Sequence, residues 1–169
     1  MEVELKNFIK ELIPYVIIVV VVILVRTFLV TPVIVSGDSM VPTLKDKQPL
    51  LLNKINYKIN DIKRFDIVVI KSNNNEIIKR VIGLPGEDVE YKNNVLYIDG
   101  HELDNDYNFD TADFTLKSIC NCTKIPDDKY LVLGDNRSVS ADSRIIGLID
   151  RKEILGNVNI SLWPIRIFK

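Results

Sequence analysis

From Leu12 to Val30 the chain is apolar almost without a break, LIPYVIIVVVVILVRTFLV, with Arg26 as its one charge. At about 1.5 Å per residue a helix of that length approaches the roughly 30 Å hydrocarbon core of a bilayer, so the pattern predicts a membrane span over 12–30. Cleavable leaders have shorter apolar runs, about 7 to 15 residues, and close on a small-x-small site. Here the run passes instead into ThrProValIleValSer with no alanine pair, which favours an uncleaved anchor between a polar tail, 1–11, and one domain, 31–169. The positive-inside count sets Lys6 and Lys10 before the run against Arg26 near its far end, a narrow margin for a cytoplasmic tail and an extracytoplasmic domain. Pro14 falls in the first helical turns, where its missing N–H costs little, and Pro32 marks the exit.

After Pro32 the pattern changes to period two and to β-branched residues. Thr31 to Ser36 reads as a short extended run. Asp66 to Lys71 and Glu76 to Ile82 read as two strands of a hairpin, joined by Asn73, Asn74 and Asn75, since asparagine tolerates the positive φ of tight loops. Gly83 to Glu87, GlyLeuProGlyGlu, is turn chemistry. Asp88 to Tyr91 and Val95 to Ile98 flank Asn93 and Asn94 as a second hairpin, and Tyr130 to Leu133 and Val158 to Pro164 read as further strands. Asp104 to Asp128 is polar, acidic and weakly periodic, an excursion or flexible loop. The domain is therefore expected to be mostly β.

Composition adds exclusions. With 169 residues, 47% of them hydrophobic, the chain has enough apolar material for the span and one packed core. A net charge of -1, with no run of interleaved basic and aromatic residues, argues against a nucleic-acid partner. No cluster of ligands has metal-site spacing, so no metal and no cofactor are expected. The two cysteines, Cys120 and Cys122, form a Cys-Asn-Cys triplet; the preferred reading is two loop thiols without a catalytic role, with a bridge or redox-sensitive pair as the alternative.

Three segments combine reactive side chains with backbone-shaping residues: SerGlyAspSerMetValProThrLeu from Ser36 to Leu44, LysArgValIleGlyLeuProGly from Lys79 to Gly86, and GlyAspAsnArgSerValSerAlaAspSerArg from Gly134 to Arg144. In this order, behind an N-terminal anchor, they resemble the type I signal peptidases, in particular the Gram-positive type with one short anchor. The resemblance covers most of the chain outside Asp104 to Asp128. It implies a signal-peptidase-like β-fold carrying a serine endopeptidase in which Ser39 is the nucleophile, Lys79 the general base and Ser140 the hydroxyl that orients the amine.

The residues support that chemistry on their own terms. A serine hydroxyl needs a base, and the one histidine, His101, sits beside Gly100 in a turn context that offers no triad. A lysine serves if it is neutral, and each pKa unit of depression corresponds to about 1.4 kcal/mol, which burial against aliphatic groups supplies. On a strand, Ile77 and Val81 share the face of Lys79. Gly37 lets the backbone approach a substrate closely and Pro42 fixes the turn behind Ser39. Asp142 and Arg144 read as a structural ion pair near the site. Some members of the family carry an oxyanion-binding serine where this chain has Gly37, which leaves the Ser39 N–H as the leading oxyanion donor.

The resemblance further implies secretory preproteins as substrates, cut after small residues at the first and third positions before the bond, with pockets drawn from Val33, Val35, Met40, Leu44, Val69 and Ile78. Membrane lipid is the other expected partner, and the chain is expected to be a monomer. Two rivals stand beside this reading: another serine-lysine protease such as the self-cleaving repressors, and a membrane-tethered β-domain that only binds.

Overall fold

The computed structural model describes residues 2–55, 60–72, 75–107 and 109–168. It opens with helix α1, Glu2–Phe28, whose described apolar side chains from Leu12 to Leu24 are exposed. Side chains in this helix are described from Lys10 to Leu24 and at Arg26. Among the described residues no helix is long and apolar enough to cross a membrane.

Two antiparallel sheets follow. The larger is built on β1 (Val30–Ile34), β2 (Pro49–Asn53), β3 (Ile67–Ser72), β4 (Asn75–Gly83), β9 (Lys129–Leu133), β10 (Ile149–Asp150), β11 (Ile154–Leu162) and β12 (Ile165–Ile167), in the order β1-β2-β11-β3-β4-β9-β10 with β12 pairing β11. The smaller runs β7-β6-β5-β8 from β5 (Val89–Lys92), β6 (Val95–Ile98), β7 (His101–Glu102) and β8 (Phe114–Thr115). Two short helices, α2 (Leu116–Cys120) and α3 (Ser143–Ile146), lie outside the sheets.

The period-two segments became β1, β3, β4, β5, β6, β9 and β11. Asn93 and Asn94 both take positive φ, 50° and 69°, as the two-residue turn between β5 and β6 requires. Asn73 and Asn74 lie outside the described residues, while Asn75 belongs to β4 and pairs with Ser72. Strand β2, ProLeuLeuLeuAsn, escaped the pattern because it does not alternate: it is a short apolar run between β1 and β11, with Leu50 and Leu52 buried.

The Asp104 to Asp128 segment is not a bare loop. It contains β8, which pairs with β5, and α2, whose Leu116 is buried. It also contains a disulfide between Cys120 and Cys122, with Cα atoms 5.2 Å apart, which corrects the reading of two free thiols. The Cα spacing falls within the range a bridge needs, so adjacency in sequence was no obstacle.

Three apolar clusters fill the domain. One, formed by Met40, Leu44, Leu50, Leu52, Ile67, Val69 and Val158 with Val35, lies beneath the segment that carries Ser39.

Candidate active site

Lys79 is presented by β4, where its backbone pairs with Val68 of β3. β9 pairs only with Arg80, Val81 and Gly83, so from Asn75 to Lys79 the other edge of β4 carries no strand among the described residues. On that open stretch the side chain of Lys79 is buried, 3% exposed, and its Nζ lies 2.8 Å from Ser39 Oγ, to which it donates. Ser39 belongs to a loop after β1, which is itself the edge strand of the sheet. Two distant sequence segments thus bring a hydroxyl and an amine into hydrogen-bond contact.

Burial pulls the Lys79 pKa below its usual value, against the opposing pull of the Asp142 and Asp135 carboxylates. Both carboxylates are held by guanidinium groups, which limits that opposition. Arg144 Nε and Nη2 each donate to Asp142 at 2.9 Å, and Arg80 Nε and Nη2 donate to Asp135 at 2.8 and 2.6 Å. The geometry therefore keeps a lysine amine beside a serine hydroxyl with reduced proton affinity.

The segment from Gly134 to Arg144 frames this pair. The Asn136 N–H donates to the Ser39 carbonyl at 3.0 Å, and the Gly134 N–H donates to Asp142 Oδ2 at 3.0 Å. A Cβ on Gly134 would overlap Ser140 Oγ and lie 2.5 Å from the Ser39 carbonyl oxygen. Only glycine lets these two segments touch at that point. Ser140 is consequently packed against the Ser39 segment, yet its hydroxyl is buried without a hydrogen-bond partner. The expected bond from Ser140 to Lys79 is therefore not made among the described residues; Lys79 Nζ bonds to Ser39 instead.

Gly37 takes φ +83°, a left-handed value that favours glycine, with open space where a Cβ would stand. Its N–H donates to Asp46 Oδ1 at 2.8 Å and so is committed. The Ser39 N–H has no acceptor among the described residues.

A groove of about 450 Å³ opens beside the pair, with Val33, Val35, Met40, Val69 and Ile78 in its wall. Leu44 is the exception among the expected pocket residues. It is fully buried in the cluster below, its N–H bonded to the Met40 carbonyl at 2.8 Å, one turn behind the wall rather than in it. His101 lies on β7 in the other sheet, its Nδ1 3.0 Å from the Asp99 carbonyl, in keeping with a turn role.

Two sets of supporting contacts went unread in the sequence, where Arg137 reads only as part of a turn that supports Ser140. Arg80, next to Lys79, is 2% exposed, paired with Asp135, bonded to the Phe65 carbonyl at 2.9 Å and stacked 4.0 Å from the Tyr107 ring. Arg137 is buried between the Gly134 carbonyl and the Thr111 hydroxyl. Tyr107 and Thr111 belong to the polar excursion, which thus packs directly on the site's scaffold. A second basic residue beside Lys79 within the otherwise aliphatic run from Ile77 to Ile82, and aromatic residues inside an acidic segment, were the available signals.

Comparison with known proteins agrees with this architecture. The crystal structure of a signal peptidase I from Enterococcus faecalis superposes with a TM-score of 0.54 at 38% identity, covering 58% of this chain and 97% of that one. Signal peptidase IB of Staphylococcus aureus is 41% identical over 179 residues, covering 95% of this chain and 94% of the relative. Signal peptidase I of Bacillus caldolyticus is 40% identical over 166 residues, covering 92% and 91%. The family described as signal peptidase, peptidase S26, matches residues 6–163, and the chain belongs to that family of hydrolases, as a peptidase of the signal peptidase I kind.

Proposed function

We propose that this protein is a membrane-bound serine endopeptidase that removes signal peptides from secreted preproteins through a Ser39–Lys79 dyad. The observation that carries the proposal is the 2.8 Å contact between Lys79 Nζ and Ser39 Oγ at a lysine whose burial depresses its pKa. Once neutral, Nζ accepts the Ser39 proton as Oγ attacks the scissile carbonyl. The oxyanion takes the unengaged Ser39 N–H. Lys79 then returns the proton to the leaving amine, and a second cycle with water hydrolyses the acyl-enzyme.

An extended peptide suits the groove, because both the open edge of β1 and the unpaired stretch of β4 offer backbone hydrogen bonds. The aliphatic wall from Val33 to Ile78 leaves room for small side chains before the bond and rejects large ones. Ser140 is proposed to orient Lys79 during turnover, its buried hydroxyl being free to accept a proton of the amine. Asp142 and Arg144 support the fold of that segment.

The membrane reading rests on α1. The described side chains from Leu12 to Leu24 are exposed and apolar, a surface suited to burial in lipid, and they lie within the apolar run 12–30 of the sequence. The domain is proposed to lie on the extracytoplasmic side as a monomer.

The test is cleavage of a model preprotein in detergent or liposomes, with the cut site read by mass spectrometry. Wild type should cut once, after a small residue, and Ser39→Ala should leave the preprotein intact while melting like wild type. Cleavage by folded Ser39→Ala would overturn the proposal.

A further inference from the structure

A second cavity, of about 500 Å³, lies past the dyad, and its chemistry differs from that of the substrate groove. The two share Ser36, Ser39, Ile77 and Lys79, so the dyad stands at their junction. Beyond that junction the second cavity is bounded by Asp38, Asn136, Val139 and Ala141. A peptide whose scissile carbonyl sits at Ser39, with its upstream residues in the aliphatic groove, continues past the dyad into this space, which meets the groove at Ser39 and Lys79.

Asp38 is the distinctive group there. It immediately precedes the nucleophile, is exposed, and its carboxylate has no hydrogen bond or ion pair among the described residues. Of the other carboxylates close to the site, Asp135 is engaged by Arg80, Asp142 by Arg144 and Asp46 by the Gly37 N–H, while Glu76 lines the upstream groove and does not bound this cavity. Lys45 and Lys47 follow on the same loop but do not bound the cavity. Val139, 64% exposed, and Ile77 give the floor an aliphatic surface. This combination, an aliphatic floor with one unpaired carboxylate at its rim, matches a side chain with an apolar stem and a cationic head.

We propose that this cavity is the subsite for the first residues of the mature chain, and that Asp38 makes it favour lysine or arginine and disfavour glutamate or aspartate there. The inference rests on the signal peptidase reading and deepens it, by assigning specificity to the released side of the bond. Asp38 acts on substrate binding and does not take part in proton transfer.

The experiment measures kcat/KM for one preprotein with Ala, Lys or Glu at each of the first two positions after the bond. Wild type should prefer Lys to Glu about fivefold at one of them, the scale of a solvent-accessible charge contact compared in both signs. That ratio should fall towards one in Asp38→Asn, reverse in Asp38→Lys, and shrink for wild type as salt is raised. The salt series needs no variant and decides the matter even where a substitution disturbs folding. Equal rates for Lys and Glu with wild type, or a ratio untouched by both salt and Asp38→Asn, would overturn the subsite. Failure to cut the Ala substrate at all would instead overturn the signal peptidase reading, and the subsite with it.

Discussion

Replacing Asp135 by asparagine probes the scaffold under Lys79 with almost no change of shape. In the native protein Arg80 and Asp135 are both 2% exposed and joined by two charge-assisted hydrogen bonds of 2.8 and 2.6 Å. Asparagine keeps one acceptor oxygen and places an NH₂ against the guanidinium. The Arg80 charge then remains buried with one amide oxygen in place of a carboxylate, beside the Phe65 carbonyl, the Thr43 hydroxyl and the Tyr107 ring. Removing one member of a buried pair typically costs about 3–5 kcal/mol, and the retained acceptor puts this case near about 3. For a domain of this size that corresponds to a Tm lower by about 10 °C. Thermal unfolding of the detergent-solubilised full chain, followed by tryptophan fluorescence or circular dichroism, reads this directly. A second readout is independent of stability. The Asp135 carboxylate raises the Lys79 pKa, so its neutralisation should move the rising limb of kcat/KM to lower pH. A Tm loss below about 3 °C would show that the pair contributes little, on the same scale. A limb that moved to higher pH would refute the electrostatic account of Lys79.

Three other substitutions extend the account. Lys79→Met should unfold at a higher temperature than wild type at neutral pH. The depressed pKa means that the unfolded chain holds the lysine proton more tightly than the native one, so native stability rises as pH climbs towards the ordinary lysine value; the advantage of Lys79→Met should therefore shrink there. Gly134→Ala should lose both activity and at least about 2 kcal/mol of stability, because its Cβ cannot coexist with Ser140 and the Ser39 carbonyl; activity assays and denaturant melts on the same sample would expose a discrepancy. Reducing the Cys120–Cys122 bridge, which closes a loop of separation 2, should cost only about 1–2 kcal/mol and leave the pH dependence of cleavage unchanged, as a melt with and without reductant would register.

How much of this was legible in the sequence varies with the kind of interaction. Alternation exposed β4 and placed Lys79 on one face with Ile77, because each strand carries that information locally. The positive φ of Asn93 and Asn94 was equally local. The meeting of Ser39 with Lys79 was available only through resemblance, since nothing in either segment specifies that β4 and the loop after β1 converge. Arg80 illustrates the limit most clearly. It stands in sequence between Lys79 and Val81, but its partners Asp135, Thr43, Phe65 and Tyr107 come from four separate segments, and no local pattern encodes such a cage. The excursion was misread for a related reason: its order depends on β5, Arg80 and Arg137, not on its own periodicity. Leu44 was assigned to a pocket because apolar β-rich segments do not reveal which side chains form a wall and which lie one layer beneath it.

The pH dependence of preprotein cleavage tests the central claim most directly, because it senses the proton on the base itself. The account predicts that kcat/KM rises with pH along a single ionisation whose pKa lies below that of an ordinary lysine, then levels off, and that Lys79→Ala abolishes cleavage across the whole range. A flat profile from mildly acidic to alkaline pH, or a folded Lys79→Ala protein that still cuts the preprotein at the same bond, would contradict it.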